Sequence, residues 1–260
     1  MINSRENLCL DNITFTSGDN FTHNFPAHFH EEYTIGVSVS GIQHFELQGK
    51  SFIVEPYSIF LIKPQVMHAH FPVADLGWSF KSLYLSADLM DHLLRSTGIP
   101  SRGHDLILLQ DKSLYTEYLR LHSSRQVPDE ALLVKFIKQF SINAATVESP
   151  DPVRPDKIEA VRLHLSGQLG QKLQLDKIAE IYKIDKYQLI RQFRQYVGVT
   201  PNTYLAILRI EKARKMINTG YPIVEAALEA GFYDQSHFHH SFLYYTGVTP
   251  GKFISNQQMG

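Results

Sequence analysis

Ala226-Ala227-Leu228-Glu229-Ala230-Gly231-Phe232-Tyr233-Asp234-Gln235-Ser236-His237-Phe238 is the stretch that decides the fold. Its alanines belong to a short helix, with Ala227 the small residue that a second helix can cross closely. Gly231-Phe232 supplies a tight turn, because glycine enters left-handed backbone at no steric cost. Asp234 is of the type that caps a helix or sits in its first turn. Phe238, Phe242 and Tyr245 then recur at helical spacing and mark an apolar stripe. A short helix, a tight turn and a longer amphipathic helix make a helix-turn-helix unit, here spanning 223–246.

The unit has a twin. Gly198-Val199-Thr200-Pro201 recurs as Gly247-Val248-Thr249-Pro250, and Asp185, Leu189 and Phe193 match Asp234, Phe238 and Phe242 at the same offset of 49. Upstream, Leu175 and Ala179 match Ile223 and Ala227 at an offset of 48, so the second copy carries one extra residue in its turn. The first unit therefore spans 175–197, with an expected stripe of Leu189, Phe193 and Tyr196. At ~100° per residue, Tyr187, Gln188, Arg191, Arg194 and Gln195 then point away from the core. In the second unit Ser236, His240 and Leu243 point outward, with His237 and His239 on the flanks. Such faces suit base edges: arginine forks onto guanine, glutamine onto adenine, and an aromatic ring meets a thymine methyl. A helix from about Asn202 to Asn218 would run ~25 Å and hold the two heads near the ~34 Å between successive major-groove windows. The other helices are expected at about 157–168, 175–182, 186–197, 223–230 and 235–246. Asp176, Asp185 and Asp234 are the candidate caps or first-turn acids, and Gly220 stands where a C-terminal cap belongs.

Upstream the texture changes. Pro150, Pro152 and Pro155 fall within six residues, a density that defeats helix and central strand alike, and this marks a linker over 147–156. Before it, Thr34-Ile35-Gly36-Val37-Ser38-Val39-Ser40 alternates and stops at Gly41. Phe45-Glu46-Leu47 and Ser51-Phe52-Ile53-Val54 flank a turn at Gln48-Gly49-Lys50, and Ile59-Phe60-Leu61-Ile62 is a short buried run ended by Lys63-Pro64. From Phe21 to about Leu85, short strands punctuated by Gly and Pro indicate an antiparallel sandwich or barrel. Helical stripes follow at Leu89, Leu93 and Leu94, at Leu114, Tyr118 and Leu121, and at Leu132, Leu133, Phe136, Ile137 and Phe140. The third either packs on the barrel or pairs two copies of the chain.

The net charge of −1 hides an asymmetry. Residues 1–148 hold 11 Lys and Arg against 16 Asp and Glu, whereas 149–260 hold 14 against 10. A polyanion is attracted to the second part, although the imbalance alone would not establish DNA binding. No apolar run approaches the ~18 residues of a membrane-spanning helix. The lone cysteine, Cys9, allows neither an internal disulfide nor a cysteine-based zinc site, and a cytoplasmic protein is expected.

Residues 157–254 resemble the DNA-binding domain of the AraC/XylS regulator family. Leu175-Asp176-Lys177-Ile178-Ala179, the block 226–238, Phe242 and Gly247-Val248-Thr249-Pro250 carry the likeness. It implies a sequence-specific transcription regulator, with base contacts from Tyr187, Ile190 and Arg191 in the first reading helix and from Gln235, Ser236, His237 and His240 in the second. Family members usually have Arg at His240 and a basic residue at Leu243. The second head is therefore expected to bind more weakly, with help from any protonated histidine. His28-Phe29-His30-Glu31-Glu32-Tyr33 through Pro64-Gln65-Val66-Met67-His68, extended by 78–84, resembles the cupin-like sensory domain of the same family. The implied fold is α+β in two domains: a cupin-like β-barrel (jelly roll) with trailing helices over 1–146, and an all-α domain with two helix-turn-helix units over 157–260. Glycines common after the prolines of such barrels are here Tyr57 and Gln65, so two turns are expected to be tighter or differently shaped.

His28 and His30 are two residues apart, as are His68 and His70, so each pair shares a face of an extended segment. His28, His30 and His68 are the metal candidates, yet Thr34 and Ile35 stand where cupin enzymes place an acidic ligand. The expectation is no metal and no cofactor. A small-molecule effector is expected instead at the cavity mouth, against His28, His30, Tyr33, His68 and His70. Expected partners are a double-stranded DNA operator, that effector, RNA polymerase if the protein is an activator, and a second copy of the chain; no membrane and no enzymatic activity are expected. Two other readings stand beside this one. One is a cupin-type metal enzyme with an accessory DNA-binding domain, the other a constitutive DNA-binding dimer without effector.

Overall fold

The computed structural model describes residues 13–47, 50–73, 77–98, 106–123, 130–144 and 155–258. Cys9, the turn residues Gln48 and Gly49, and the linker up to Arg154 lie outside the described residues. The strands are β1 (Thr14–Phe21), β2 (Phe25–His28), β3 (Tyr33–Ser40), β4 (Gln43–Leu47), β5 (Lys50–Val54), β6 (Ser58–Ile62), β7 (His68–Pro72), β8 (Trp78–Leu85) and β9 (Leu106–Gln110). They form two antiparallel sheets, ordered β1-β8-β3-β6-β9 and β2-β7-β4-β5. This is the cupin-like double sheet that the sequence implies.

Strand alternation gives the five-stranded sheet two working faces. Ile35, Val37, Ile59, Leu61, Leu83 and Leu85 point outward and are buried by α1 (Ala87–Thr97), α2 (Lys112–Ser123) and α3 (Glu130–Ala144). The buried Tyr118 hydroxyl of α2 donates to the Ile35 carbonyl at 2.8 Å and ties the helical layer to β3. Phe60 and Ile62 point inward, where they meet Phe45, Leu47 and Val54 of the second sheet. The third apolar stripe thus packs on the barrel through Leu133, Phe136, Ile137 and Phe140. Leu132 lies one residue, ~100°, off that face and is 53% exposed.

Tyr57 and Gln65 adopt left-handed backbone, with φ of 70° and 61°. The turns keep the shape a glycine would take, against the expectation of altered turns. Backbone hydrogen bonds hold them there: Tyr57 N–H to the Ser38 carbonyl at 2.9 Å, Gln65 N–H to the His30 carbonyl at 2.7 Å.

The helical domain comprises α4 (Asp156–Ser166), α5 (Leu175–Ile181), α6 (Lys186–Val197), α7 (Pro201–Asn218), α8 (Ile223–Glu229), α9 (Gln235–Thr246) and α10 (Pro250–Gln258). It has two cores. Ile158, Val161, Leu165, Ile178, Leu189 and Phe193 form one, and Ala226, Ala227, Phe232, Phe238, Phe242 and Phe253 form the other. The central helix α7 belongs to both, through Tyr204, Ile207 and Leu208 on one side and Ile210, Ala213 and Ile217 on the other. Its 18 residues span ~27 Å. No helix among the described residues is long and apolar enough to cross a membrane.

Candidate functional site

The second helix of each helix-turn-helix unit, α6 and α9, begins on an aspartate cap. The Asp185 carboxylate accepts from the N–H groups of Tyr187 at 3.0 Å and Gln188 at 2.9 Å, and Asp234 accepts from His237 N–H at 2.7 Å. These caps set where each helix starts and therefore which side chains face out. On α6, Tyr187, Gln188, Arg191, Arg194 and Gln195 are exposed and Ile190 is half-buried. The core stripe is Leu189, Phe193 and Val197, not Tyr196 as expected. Val197 lies four residues beyond Phe193 and stays on its face, whereas Tyr196 swings toward solvent. On α9, Gln235, Ser236, His237, His239, His240 and Leu243 are exposed around the buried Phe238 and Phe242. His237 leans edge-on against Phe232 at 5.4 Å. The His240 Nδ1–H donates to the Ser236 carbonyl at 2.8 Å, so Nε2 is the nitrogen presented outward.

The turn between α8 and α9 needs its glycine. Gly231 has φ of 93°, and a Cβ built on it would lie 2.1 Å from the Leu169 carbonyl oxygen. Arg209 of α7 donates to that same carbonyl at 2.9 Å and to Gln171 O at 2.7 Å, locking the loop after α4 against α7. The matching residue of the first unit, Lys183, also has positive φ (50°) but is exposed.

A second site opens where the barrel meets α7. A cavity of about 1300 Å³ extends from the barrel interior, past Phe25, Phe60, Trp78 and Phe80, to Glu211, Arg214 and Lys215 of α7. The segment after β2 lies along its rim. Glu32 meets Arg214 at 2.5 Å, Glu31 meets Lys215 at 2.7 Å, and His30 Nδ1 is 3.3 Å from the Glu211 carboxylate. Glu211 and Arg214 are themselves paired at 2.9 Å, and the Arg214 guanidinium lies 4.8 Å above the Tyr84 ring. Burial by itself would push the Glu211 carboxyl up. Arg214 and His30 outweigh it and hold the group well below the usual carboxylate range. Phe29, fully buried, leaves the barrel altogether and stacks on Tyr204 at 5.0 Å within the first helical core. Arg162 of α4 reaches Gln65 at a barrel turn as well as Glu159 beside it.

The histidines are sorted by this geometry. His28, His68 and His70 face one another inside the barrel, whereas His30 stands beside them and turns to Glu211. The metal candidates named from spacing, beside an expectation of no metal, are His28, His30 and His68; the structure groups His70 with His28 and His68 in place of His30. Tyr33 does not line the cavity: alternation along β3 puts it on the outer face with Ile35 and Val37, against the helical layer. Sequence spacing missed Thr34, Trp78, Tyr84, Glu211 and Arg214 of the cavity wall. Thr34 Oγ1, Trp78 Nε1 and Arg214 Nε are buried there with no protein partner among the described residues.

A family model described as an AraC-like ligand binding domain matches residues 12–135, and one described as a helix-turn-helix domain matches 178–256. The chain belongs to the AraC family. Among its relatives, the HTH-type transcriptional regulator YbfI of Bacillus subtilis is 26% identical over 233 residues, covering 82% of this chain and 81% of that protein. The HTH-type transcriptional activator RhaS of Salmonella schwarzengrund is 22% identical over 233 residues, covering 82% of each. Among solved structures, ToxT from Vibrio cholerae superposes with a TM-score of 0.63 at 16% identity, over 94% of this chain and 98% of that one. That likeness carries the two-domain fold. This AraC-family protein is therefore an HTH-type transcriptional regulator with an N-terminal ligand-binding domain.

Proposed function

We propose that the protein binds a specific DNA operator through the outward faces of α6 and α9, under the control of a small molecule held in the cavity. One observation carries the reading: α7 is both a wall of the cavity and the strut of the two reading heads. An occupant that displaces Glu32 from Arg214 or Glu31 from Lys215 alters how the barrel grips that strut. Operator affinity then changes by the occupant's difference in affinity between the two arrangements.

The wall combines aromatic rings with Arg214, Lys215 and Lys252, offset by Asp19, Glu31, Glu32 and Glu211, so an organic acid with an apolar body would bind by taking the place of a carboxylate on one of these cations. ToxT has been solved with an unsaturated fatty acid bound, and amphipathic carboxylates are the first compounds to screen. On this reading the barrel senses and does not catalyse. Thermal-shift screening of the full-length protein should find compounds that raise Tm, and the same compounds should change operator affinity in a fluorescence-anisotropy titration. Compounds that bind in the cavity yet leave operator affinity unaltered would sink the proposal.

A further inference from the structure

The pairing of β2 with β7 sets His28 directly opposite His68. His70, two residues along β7, shares the face of His68. The ligand nitrogens of all three histidines lie within 4.8 Å of one another. We propose that His28, His68 and His70 form a binding site for a divalent first-row transition ion of the zinc type, ligated through their Nε2 atoms.

The tautomers argue for it. Nδ1 of His28 is 2.7 Å from the Pro26 carbonyl and Nδ1 of His68 is 2.8 Å from the Val66 carbonyl. A carbonyl can only accept, so each Nδ1 carries the proton and each Nε2 keeps its lone pair. His70 follows the pattern, with Nδ1 3.3 Å from Gln43 Oε1. Histidines that ligate metals are oriented in this way, by donating their second ring nitrogen to an oxygen acceptor.

Three lone pairs facing one another call for a positive centre between them, and an imidazole set suits zinc and its neighbours in the first row. Zinc–nitrogen bonds of ~2.0–2.1 Å draw tetrahedral ligands to within about 3.4 Å of each other, so small side-chain rotations complete the site. Phe25 stacks on His70 at 4.6 Å and Phe45 on His68 at 5.6 Å, an apolar packing that fixes the rings. With three protein ligands, a fourth position stays open toward the cavity and His30, whose ring lies 5.0 Å from His28. The proposal rests on the histidine geometry and is independent of what the effector is.

The test uses untagged full-length protein, stripped with a chelator and titrated with Zn²⁺ and, separately, Co²⁺, without DNA or effector. The expected result is one Zn²⁺ per chain, a rise in Tm, and the visible absorption of four-coordinate Co²⁺. All three should vanish in a His68→Gln/His70→Gln variant and persist in a His237→Gln/His239→Gln/His240→Gln variant. Should the double variant fail to fold, His70→Gln alone should weaken Zn²⁺ binding at least about tenfold. The proposal is overturned if the wild type binds no more metal than the barrel variants, or if the metal disappears with the surface histidines.

Discussion

Arg191 and His240 occupy equivalent positions, 49 residues apart, on the two reading helices. A guanidinium offers a forked pair of donors at any physiological pH. The His240 imidazole spends Nδ1 on the Ser236 carbonyl and has one nitrogen left for DNA. Arg191→Ala should therefore weaken operator binding by about 1–3 kcal/mol, roughly fivefold to 150-fold, and by more than His240→Ala does. Anisotropy titrations at one salt concentration decide the order, and the reverse ranking would refute it. At the same scale, Glu211 makes stability depend on acid. Its folded pKa is depressed, so its contribution is complete above the ordinary glutamate value and is lost as pH falls below it. Between about pH 5 and pH 3 the wild type should lose Tm more steeply than Glu211→Gln, as followed by circular dichroism. Equal slopes would mean that the ion pairs around Arg214 are not what the carboxylate senses.

Elements were legible in the sequence to the extent that their cause is local. Asp185 and Asp234 can be read as caps because a cap acts within three residues, and the repeat of Gly198-Val199-Thr200-Pro201 fixed both helix-turn-helix units. Three elements escaped. The edge strand β1 is half-exposed and carries few apolar residues, β9 is a four-residue apolar run without period, and α10 opens on Pro250-Gly251, a pair that reads as a stop. The His-x-His pairs were visible, but which three imidazoles converge depends on β2 pairing with β7, a long-range register that no local pattern encodes. Gly231 puts the local argument to a test. With positive φ and the Leu169 carbonyl 2.1 Å from where its Cβ would be, Gly231→Ala should cost about 2 kcal/mol or more. Lys183→Ala, at the equivalent exposed turn, should change stability by less than about 0.5 kcal/mol. Chemical denaturation of the two variants measures the contrast, and a Gly231→Ala loss no larger than that of Lys183→Ala would show that neither the positive φ nor the close approach to Leu169 demands the glycine.

The whole molecule turns on His28-Phe29-His30-Glu31-Glu32, five consecutive residues that serve three places at once. His28 points into the barrel, Phe29 enters the first helical core, and His30, Glu31 and Glu32 hold α7. This also alters the meaning of the charge asymmetry. Arg162, Arg214 and Lys215 meet partners in or against the barrel, so part of the positive excess beyond residue 149 joins the domains and does not face DNA. Because Phe29 is covalently part of one domain and packed in the core of the other, it should make their unfolding cooperative. Deleting it as Phe29→Ala removes a fully buried ring stacked on Tyr204, at a cost of about 3–5 kcal/mol. The loss falls on the docking as well as on the core. Calorimetry should accordingly record one transition for the wild type and two for Phe29→Ala, with the helical domain melting first. Phe238→Ala is the control, since that ring is equally buried but lies in the second helical core, whose cluster contains no barrel residue among the described residues. It should lower the single transition without splitting it. Two transitions already present in the wild type would mean that Phe29 packs between domains without coupling them, and the route from cavity to reading heads would then have to run through the ion pairs of α7 and the contact of α9 with the barrel, where His23 Nε2 lies 3.0 Å from the Tyr244 carbonyl.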